Sequence, residues 1–284
     1  MGEGQRAASD AARMALEAGT AQLFGEIHAL VPPDVVARYR ALLAPAHLEV
    51  PEHFFAGARC LDAGCGGTGR ALFSMAVQGA ERAIGVDLSL ENTRSARAQN
   101  ARLESRIAVA AASLLALPFP DRLFDFVHCN GVLHHLADSE EGLRELVRVL
   151  RQGGTLYVSV YGRGGVITWL ALAGRGAARL VPRAWARWLL QRGLRLEGLL
   201  VSNILDILYV PVQRRFTEAE LRRHFRAAGL TDLRRLRNPT WLFAGRFERL
   251  LHASAWQPDS RLGRLLHGEG WIIMVGRRAA PATG

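Results

Sequence analysis

The chain has 284 residues, 49% hydrophobic and 22% charged, which suits one large globular domain, or a domain with a covering segment, and excludes a disordered or fibrous protein. All 36 basic residues are arginine, which removes Schiff-base chemistry and any lysine general base; coding bias in a GC-rich bacterial genome is the simplest source. The three cysteines, Cys60, Cys65 and Cys129, have neither metal-site spacing nor the density of a disulfide framework, so no metal site is expected and a reducing, cytoplasmic setting is.

Met1 to Asp10 mixes acidic and basic residues and lacks the apolar core of a signal peptide. Residues 1–56 read as an N-terminal helical segment. Ala7 to Leu16 and Ala21 to Leu30 carry helical apolar spacing, Pro32-Pro33 break the pattern, and Asp34 is placed to cap a helix through Leu43. An alternation then sets in: strand 58–63, helix 70–78, strand 82–87, helix 90–100, strand 106–110, strand 124–130, helix 139–150 and strand 154–160, with Gly153-Gly154 as the turn into the last. Strands separated by helices predict an α/β fold, a mostly parallel sheet with helices on both faces. Residues 162–216 interrupt the pattern with nine Arg against Glu197 and Asp206, plus Trp169, Trp185 and Trp188, and read as an inserted helical lid. Thr217-Glu-Ala-Glu220 is a capping box that opens a helix to Ala228, ended by Gly229. Leu230 to Leu236 and Trp271 to Val275 are the closing strands, paired antiparallel, and 241–269 is a second, smaller insertion. The core is thus 57–161 with 217–280. No apolar run reaches the roughly 18–20 residues that a bilayer span needs.

Charge divides the chain. Residues 1–150 hold 14 Arg and 18 Asp or Glu, net −4, and residues 151–284 hold 22 and 8, net +14. A basic half fits nucleic acid, an anionic membrane surface, an acidic substrate or a merely solvated arginine surface.

The most specific stretch is Leu-Asp-Ala-Gly-Cys-Gly-Gly-Thr-Gly at 61–69, followed by Asp87 at the end of Ile-Gly-Val-Asp. Glycines let a backbone approach a ligand, and the helix after them turns free N–H groups toward it. A carboxylate ending the next strand can accept both hydroxyls of a ribose, so the pair marks an adenosine-bearing cofactor. Gly64-x-Gly66-x-x-Gly69 also fits the dinucleotide fingerprint. Asp62 argues against that reading, because a carboxylate before the glycines suits a ligand with a free amino group and repels one rich in phosphate.

With these residues the chain resembles the class I S-adenosylmethionine-dependent methyltransferases, in particular the ubiquinone/menaquinone-biosynthesis-like group. Six blocks carry the resemblance in order: 61–66, Ile-Gly-Val-Asp-Leu-Ser (84–89), Leu-Pro-Phe-Pro-Asp (117–121), Phe-Asp-Phe-Val (124–127), Val-Leu-His-His-Leu (132–136) and Arg-Val-Leu-Arg-Gln-Gly-Gly (148–154). The resemblance implies a Rossmann-like seven-stranded sheet and S-adenosyl-L-methionine as cofactor. It implies that Asp62, Gly64, Cys65, Gly66, Gly67 and Gly69 hold the methionyl part, with either Gly67 or Gly69 in the third-glycine role because the loop is one residue longer than usual. Asp87 would hold the ribose, Leu88 and the Leu114 N–H the adenine, and Asn130 would pass close to the methionine. Ser113 falls where the family commonly has an Asp that accepts from the adenine amine.

His134 and His135 follow the fourth strand, and imidazole is suited to taking a proton from an acceptor; the alternative is that one packs or caps the next helix. Tyr161 and Arg163 leave the fifth strand where open sheets place substrates, and Tyr39 is a further candidate from the N-terminal segment. Trp185 and Trp188 share a helical face with Arg183 and Arg187 beside them, which fits a membrane surface or a lid burying its tryptophans on the core. The expected partner is a small acceptor, apolar or anionic, methylated on oxygen before carbon or nitrogen, in cofactor or natural-product biosynthesis. An RNA methyltransferase and a non-catalytic cofactor-binding subunit stay open as alternatives. Against RNA, the chain has no appended RNA-binding module, and Asn238-Pro239-Thr240 is not the motif of base-amino methyltransferases.

Overall fold

The computed structural model describes residues 3–30, 43–196, 198–240, 250 and 252–279. A seven-stranded sheet in the order β3-β2-β1-β4-β5-β7-β6 organises them. The strands are β1 Arg59–Ala63, β2 Arg82–Asp87, β3 Ile107–Ala111, β4 Phe124–Asn130, β5 Leu150–Tyr161, β6 Leu230–Arg235 and β7 Trp271–Arg278. The first five run parallel; β7 is antiparallel to both β5 and β6. Two apolar clusters pack on the sheet, one around Leu61, Val127, Leu146 and Phe225, the other around Leu72, Met75, Phe126 and Ile273. This is a Rossmann-like architecture whose strand order reverses between β1 and β4, and open sheets bind ligands outside the carboxyl ends at such a point.

The helices are α1 Glu3–His28, α2 Arg70–Val77, α3 Leu90–Gln99, α4 Ser139–Val149, α5 Val166–Ala178, α6 Arg183–Trp188, α7 Gly198–Tyr209, α8 Glu218–Ala227 and α9 Arg261–His267. Asp138 caps α4 by accepting from the Glu140 and Glu141 N–H groups, and Thr217 and Glu220 form the reciprocal capping box of α8.

Three expectations are corrected. The two N-terminal helices are one continuous α1: Gly19 suggests a break, but no proline enforces it, and Gly19 instead lets Pro211 pack close. Gly153-Gly154 do not precede the fifth strand but lie inside it. There β5 runs from Leu150, opposite Phe124, to Thr155, opposite Phe126, so the extra residues bulge and Gly153 takes φ 71°. Trp185 and Trp188 are not buried on the core: they are 68% and 57% exposed, with rings 6.3 Å apart. Residues 34–42 of the helix expected after Asp34, Tyr39 among them, lie outside the described residues.

Residues 162–216 hold α5, α6 with a π-turn at Leu189–Gly193, and α7. Leu23 and Ile27 of α1 pack with Val201 and Leu205 of α7, so the N-terminal helix and the insertion share an apolar core of their own. That core sits over the switch point and gives the sheet's carboxyl end a roof.

Candidate active site

Two adjoining cavities lie between sheet and roof. The first is lined by the β1–α2 loop from Gly64 to Thr68, by Asp87, Leu88, Ser113, Leu114, Asn130 and His135, and from α1 by Leu16, Glu17, Thr20, Ala21, Phe24 and His28. The spacing of Glu17, Thr20, Ala21, Phe24 and His28 puts them on one face of α1. The second is lined from the sheet by Tyr157, Tyr161, Trp271 and Ile273 and from α7 by Ser202, Asn203 and Asp206. Phe24, His28, Arg70, Asn130 and Gly131 face both cavities and mark their junction.

The loop is built for close approach. Gly64 takes φ 86°, and a Cβ there would sit 2.3 Å from the Val132 side chain. Gly69 takes φ 53° as the residue before α2 and packs on Asn100 and Ala96, whereas Gly67 has no left-handed φ, so Gly69 carries the conformational demand of a third glycine. The Asp87 carboxylate accepts from the Gly66 N–H at 2.9 Å, the Ser89 N–H at 2.9 Å and the Asn92 amide at 3.1 Å. Two oxygens offer about four acceptor positions, so capacity is left for a ligand hydroxyl at the cavity edge. Burial raises the Cys65 thiol and holds Cys129 at about 12, so both stay neutral.

The other expected residues fall in and out of this space. Asp62 does not line either cavity. It stands opposite His128 in the β1–β4 register, and residues so paired share a face of the sheet; its Oδ1 lies 2.7 Å from His128 Nδ1. Asn130 Oδ1 accepts from Ser159 Oγ at 2.6 Å by the same logic across β4 and β5. Ser113 is already engaged: its hydroxyl donates to Glu17 Oε1 at 2.7 Å and accepts from the Leu115 N–H, which leaves it one lone pair. Arg163 is turned away, its guanidinium donating to Glu220 Oε2 and the Arg215 carbonyl at 3.1 Å. His134 is fully buried against Tyr161 and Trp271 and lines neither cavity; burial lowers its pKa well below the usual histidine value, and its ring nitrogens have no hydrogen-bond partner among the described residues.

His135 and Tyr161 do reach the cavities, and they meet there a residue the motifs did not mark. Tyr161 donates its hydroxyl to Asp206 Oδ2 at 2.7 Å. Asp206 Oδ1 lies 3.5 Å from His135 Nε2 and has no hydrogen-bond partner among the described residues. His135 Nδ1 lies 2.9 Å from the Val212 carbonyl, which can only accept, so this nitrogen carries the hydrogen and Nε2 is the nitrogen that can hold or give up a second proton. With the ring neutral, Nε2 and Asp206 Oδ1 are two acceptor atoms side by side, open to one shared donor. Sequence reasoning missed Glu17, Phe24, His28, Arg70, Asn203 and Asp206. Asp206 left a signal, as the one charged residue in Gly-Leu-Leu-Val-Ser-Asn-Ile-Leu-Asp-Ile-Leu-Tyr.

The comparisons agree with this architecture. Residues 61–158 match the model of a methyltransferase domain. The ubiquinone biosynthesis O-methyltransferase of Xanthomonas euvesicatoria pv. vesicatoria is 34% identical over 177 residues, 56% of this chain and 70% of that one. The 27-O-demethylrifamycin SV methyltransferase of Amycolatopsis mediterranei is 37% identical over 103 residues, 36% of this chain and 38% of that one. Among solved structures, a putative sarcosine dimethylglycine methyltransferase from Galdieria sulphuraria superposes with a TM-score of 0.55 at 18% identity over 86% of each chain. An S-adenosylmethionine-dependent methyltransferase from Mesorhizobium loti gives 0.51 at 19% identity, over 82% of this chain and 96% of that one. The chain belongs to the class I S-adenosylmethionine-dependent methyltransferases, and S-adenosyl-L-methionine is its cofactor. The glycine loop and the residual acceptor capacity at Asp87 fit that molecule. The chain spans little more than a third of the rifamycin methyltransferase it matches, and the relatives fix the class rather than the acceptor.

Proposed function

We propose that the chain methylates a hydroxyl oxygen of a small, largely apolar acceptor held in the second cavity, in cofactor or natural-product biosynthesis. The carrying observation is the facing pair of acceptor atoms, His135 Nε2 and Asp206 Oδ1, at the junction. In this reading a hydroxyl donates its hydrogen into the pair, and Tyr161 fixes Asp206 from behind. When bound, the cofactor supplies a methyl group on a sulfonium, whose sulfur keeps the bonding pair as the methyl leaves. The acceptor oxygen forms the new O–C bond, its proton passes to His135 Nε2, and the Asp206 carboxylate balances the imidazolium charge. The roof keeps water from the junction, where positioning is most of the work. His135 takes the role that the motif shared with His134. Arg70, which faces both cavities, serves an anionic substituent of the acceptor. Two relatives named as oxygen methyltransferases add support for oxygen.

The test is transfer of labelled methyl from S-adenosylmethionine to a panel of catechols, phenols and macrocyclic alcohols, beside matched amines and bulk tRNA. Label is expected on hydroxyl compounds alone. Asp206→Asn should lower kcat by roughly 10²-fold or more while S-adenosylhomocysteine binds as before. Transfer to amines or tRNA, or an unimpaired Asp206→Asn, would defeat the reading; binding without transfer to any acceptor would favour a regulatory subunit.

The surface of the insertion supports a second element of this reading, an acceptor taken from an anionic bilayer. Leu180 is 87% exposed, and Trp169, Leu170, Trp185, Trp188 and Leu194 are exposed with it. Arg179, Arg187, Arg192 and Arg195 lie among them and have no ion-pair partner among the described residues. Aromatic and aliphatic side chains interleaved with arginine suit the headgroup boundary of a membrane. No described helix is long and apolar enough to cross one.

A further inference from the structure

The end of the first cavity away from the junction holds a carboxylate that no strand of the fold supplies. Glu17 lines it from α1, beside Leu16, Leu88, Ser113 and Leu114, none of which faces the second cavity. Ser113 gives its one hydroxyl hydrogen to Glu17 Oε1 at 2.7 Å and receives the Leu115 N–H at 3.1 Å. The hydroxyl hydrogen is therefore committed, and it orients the carboxylate. Among the described residues Glu17 has no cation within ion-pair distance, and its Oε2 has no hydrogen-bond partner. The neighbouring Leu114 N–H likewise has no acceptor among the described residues. A free acceptor beside a free donor, between leucine walls, is the complement of a flat heteroaromatic ring whose exocyclic amine sits next to a ring nitrogen with a lone pair.

We propose that Glu17 reads the amino group of the cofactor's adenine from the N-terminal helix, through a carboxylate that the Ser113 hydroxyl holds in place. The role concerns the nucleobase, rests on the cofactor and is independent of the acceptor. A 6-oxo purine reverses both contacts, setting its carbonyl oxygen against the carboxylate and its ring N–H against the Leu114 N–H.

Calorimetry of S-adenosylhomocysteine and S-inosylhomocysteine on the full chain tests this. The wild type should prefer the adenosyl ligand by about 10- to 100-fold, the range of a hydrogen bond to a charged group. Glu17→Ala should weaken the adenosyl ligand by a similar factor and narrow the ratio to the part that the Leu114 N–H alone supplies. Glu17→Gln, whose amide can turn either group inward, should narrow the ratio with less loss. The ratio also separates reading from packing: a variant that only loosens α1 weakens both ligands equally and keeps the preference, and that result overturns the proposal. So does a wild type that binds both ligands alike. Binding of neither ligand by the wild type would instead fail the cofactor reading, and the proposal with it.

Discussion

At the scale of single residues, the site is shaped by which polar atoms are left without partners. His134 and His135 are adjacent in sequence, yet one is sealed under Tyr161 and Trp271 and the other opens on the junction. Burial, with His135 and Arg215 adding in the same direction, holds the His134 pKa well below the ordinary histidine value; that of His28 is also lowered, by burial first. The unfolded chain takes up a proton at each near pH 6.5, and the folded chain does so only at lower pH. Their contribution is therefore whole above that pH and falls as pH drops, by at most about 1.4 kcal/mol per pH unit for each histidine and only until its folded-state pKa is reached. Urea unfolding at pH 7.5 and 5.0 should show this fall, and His134→Phe, which keeps a flat ring in the same packing, should lose less. An equal fall in both proteins would assign the acid sensitivity elsewhere.

At the scale of elements, what could be read in advance follows from what is local. Core helix and strand boundaries fell close to the predicted ones because apolar periodicity, glycines and caps act over a few residues. The capping box at Thr217 is the clearest case: Thr217→Ala should destabilise the protein by about 1 kcal/mol in urea unfolding, and a change near zero would mean that packing alone holds α8. That the glycine loop, Asp87, Leu114 and Asn130 would gather at one cavity was legible for the same reason, since strand ends and tight turns place them. Glu17 and Asp206 were not. Each is a carboxylate on a helix outside the parallel core, and its meaning depends on where that helix docks. Arg163 erred the other way, because leaving β5 at the correct end did not stop its side chain from turning to Glu220. Asp62 was placed correctly by its strand and misread by its neighbour, as only the β1–β4 register brings His128 beside it.

At the scale of the whole molecule, residues 162–216, with nine Arg against two acids, carry net +7 of the +14 and much of the exposed apolar surface as well. Flotation with vesicles of phosphatidylglycerol should recover the protein at low salt, and vesicles of phosphatidylcholine alone should not. Trp185→Ser with Trp188→Ser should abolish recovery without changing S-adenosylhomocysteine affinity. Failure to float with the anionic vesicles would leave the arginines a solvated face and the acceptor drawn from solution.

The position of β7 also sets a timetable. It lies between β5 and β6 although it is made after both, and β6 has no other neighbour in the sheet. During synthesis, β1 to β5 can assemble as each strand emerges, but β6 waits for a stretch of chain more than thirty residues further on, beginning at Trp271. Until then one flank of β5, with Leu156, Val158 and Val160, stands open. The nascent protein thus carries an exposed sticky edge from the synthesis of β5 until that of β7, and its solubility in that interval is a matter for chaperones and elongation speed rather than for the finished fold.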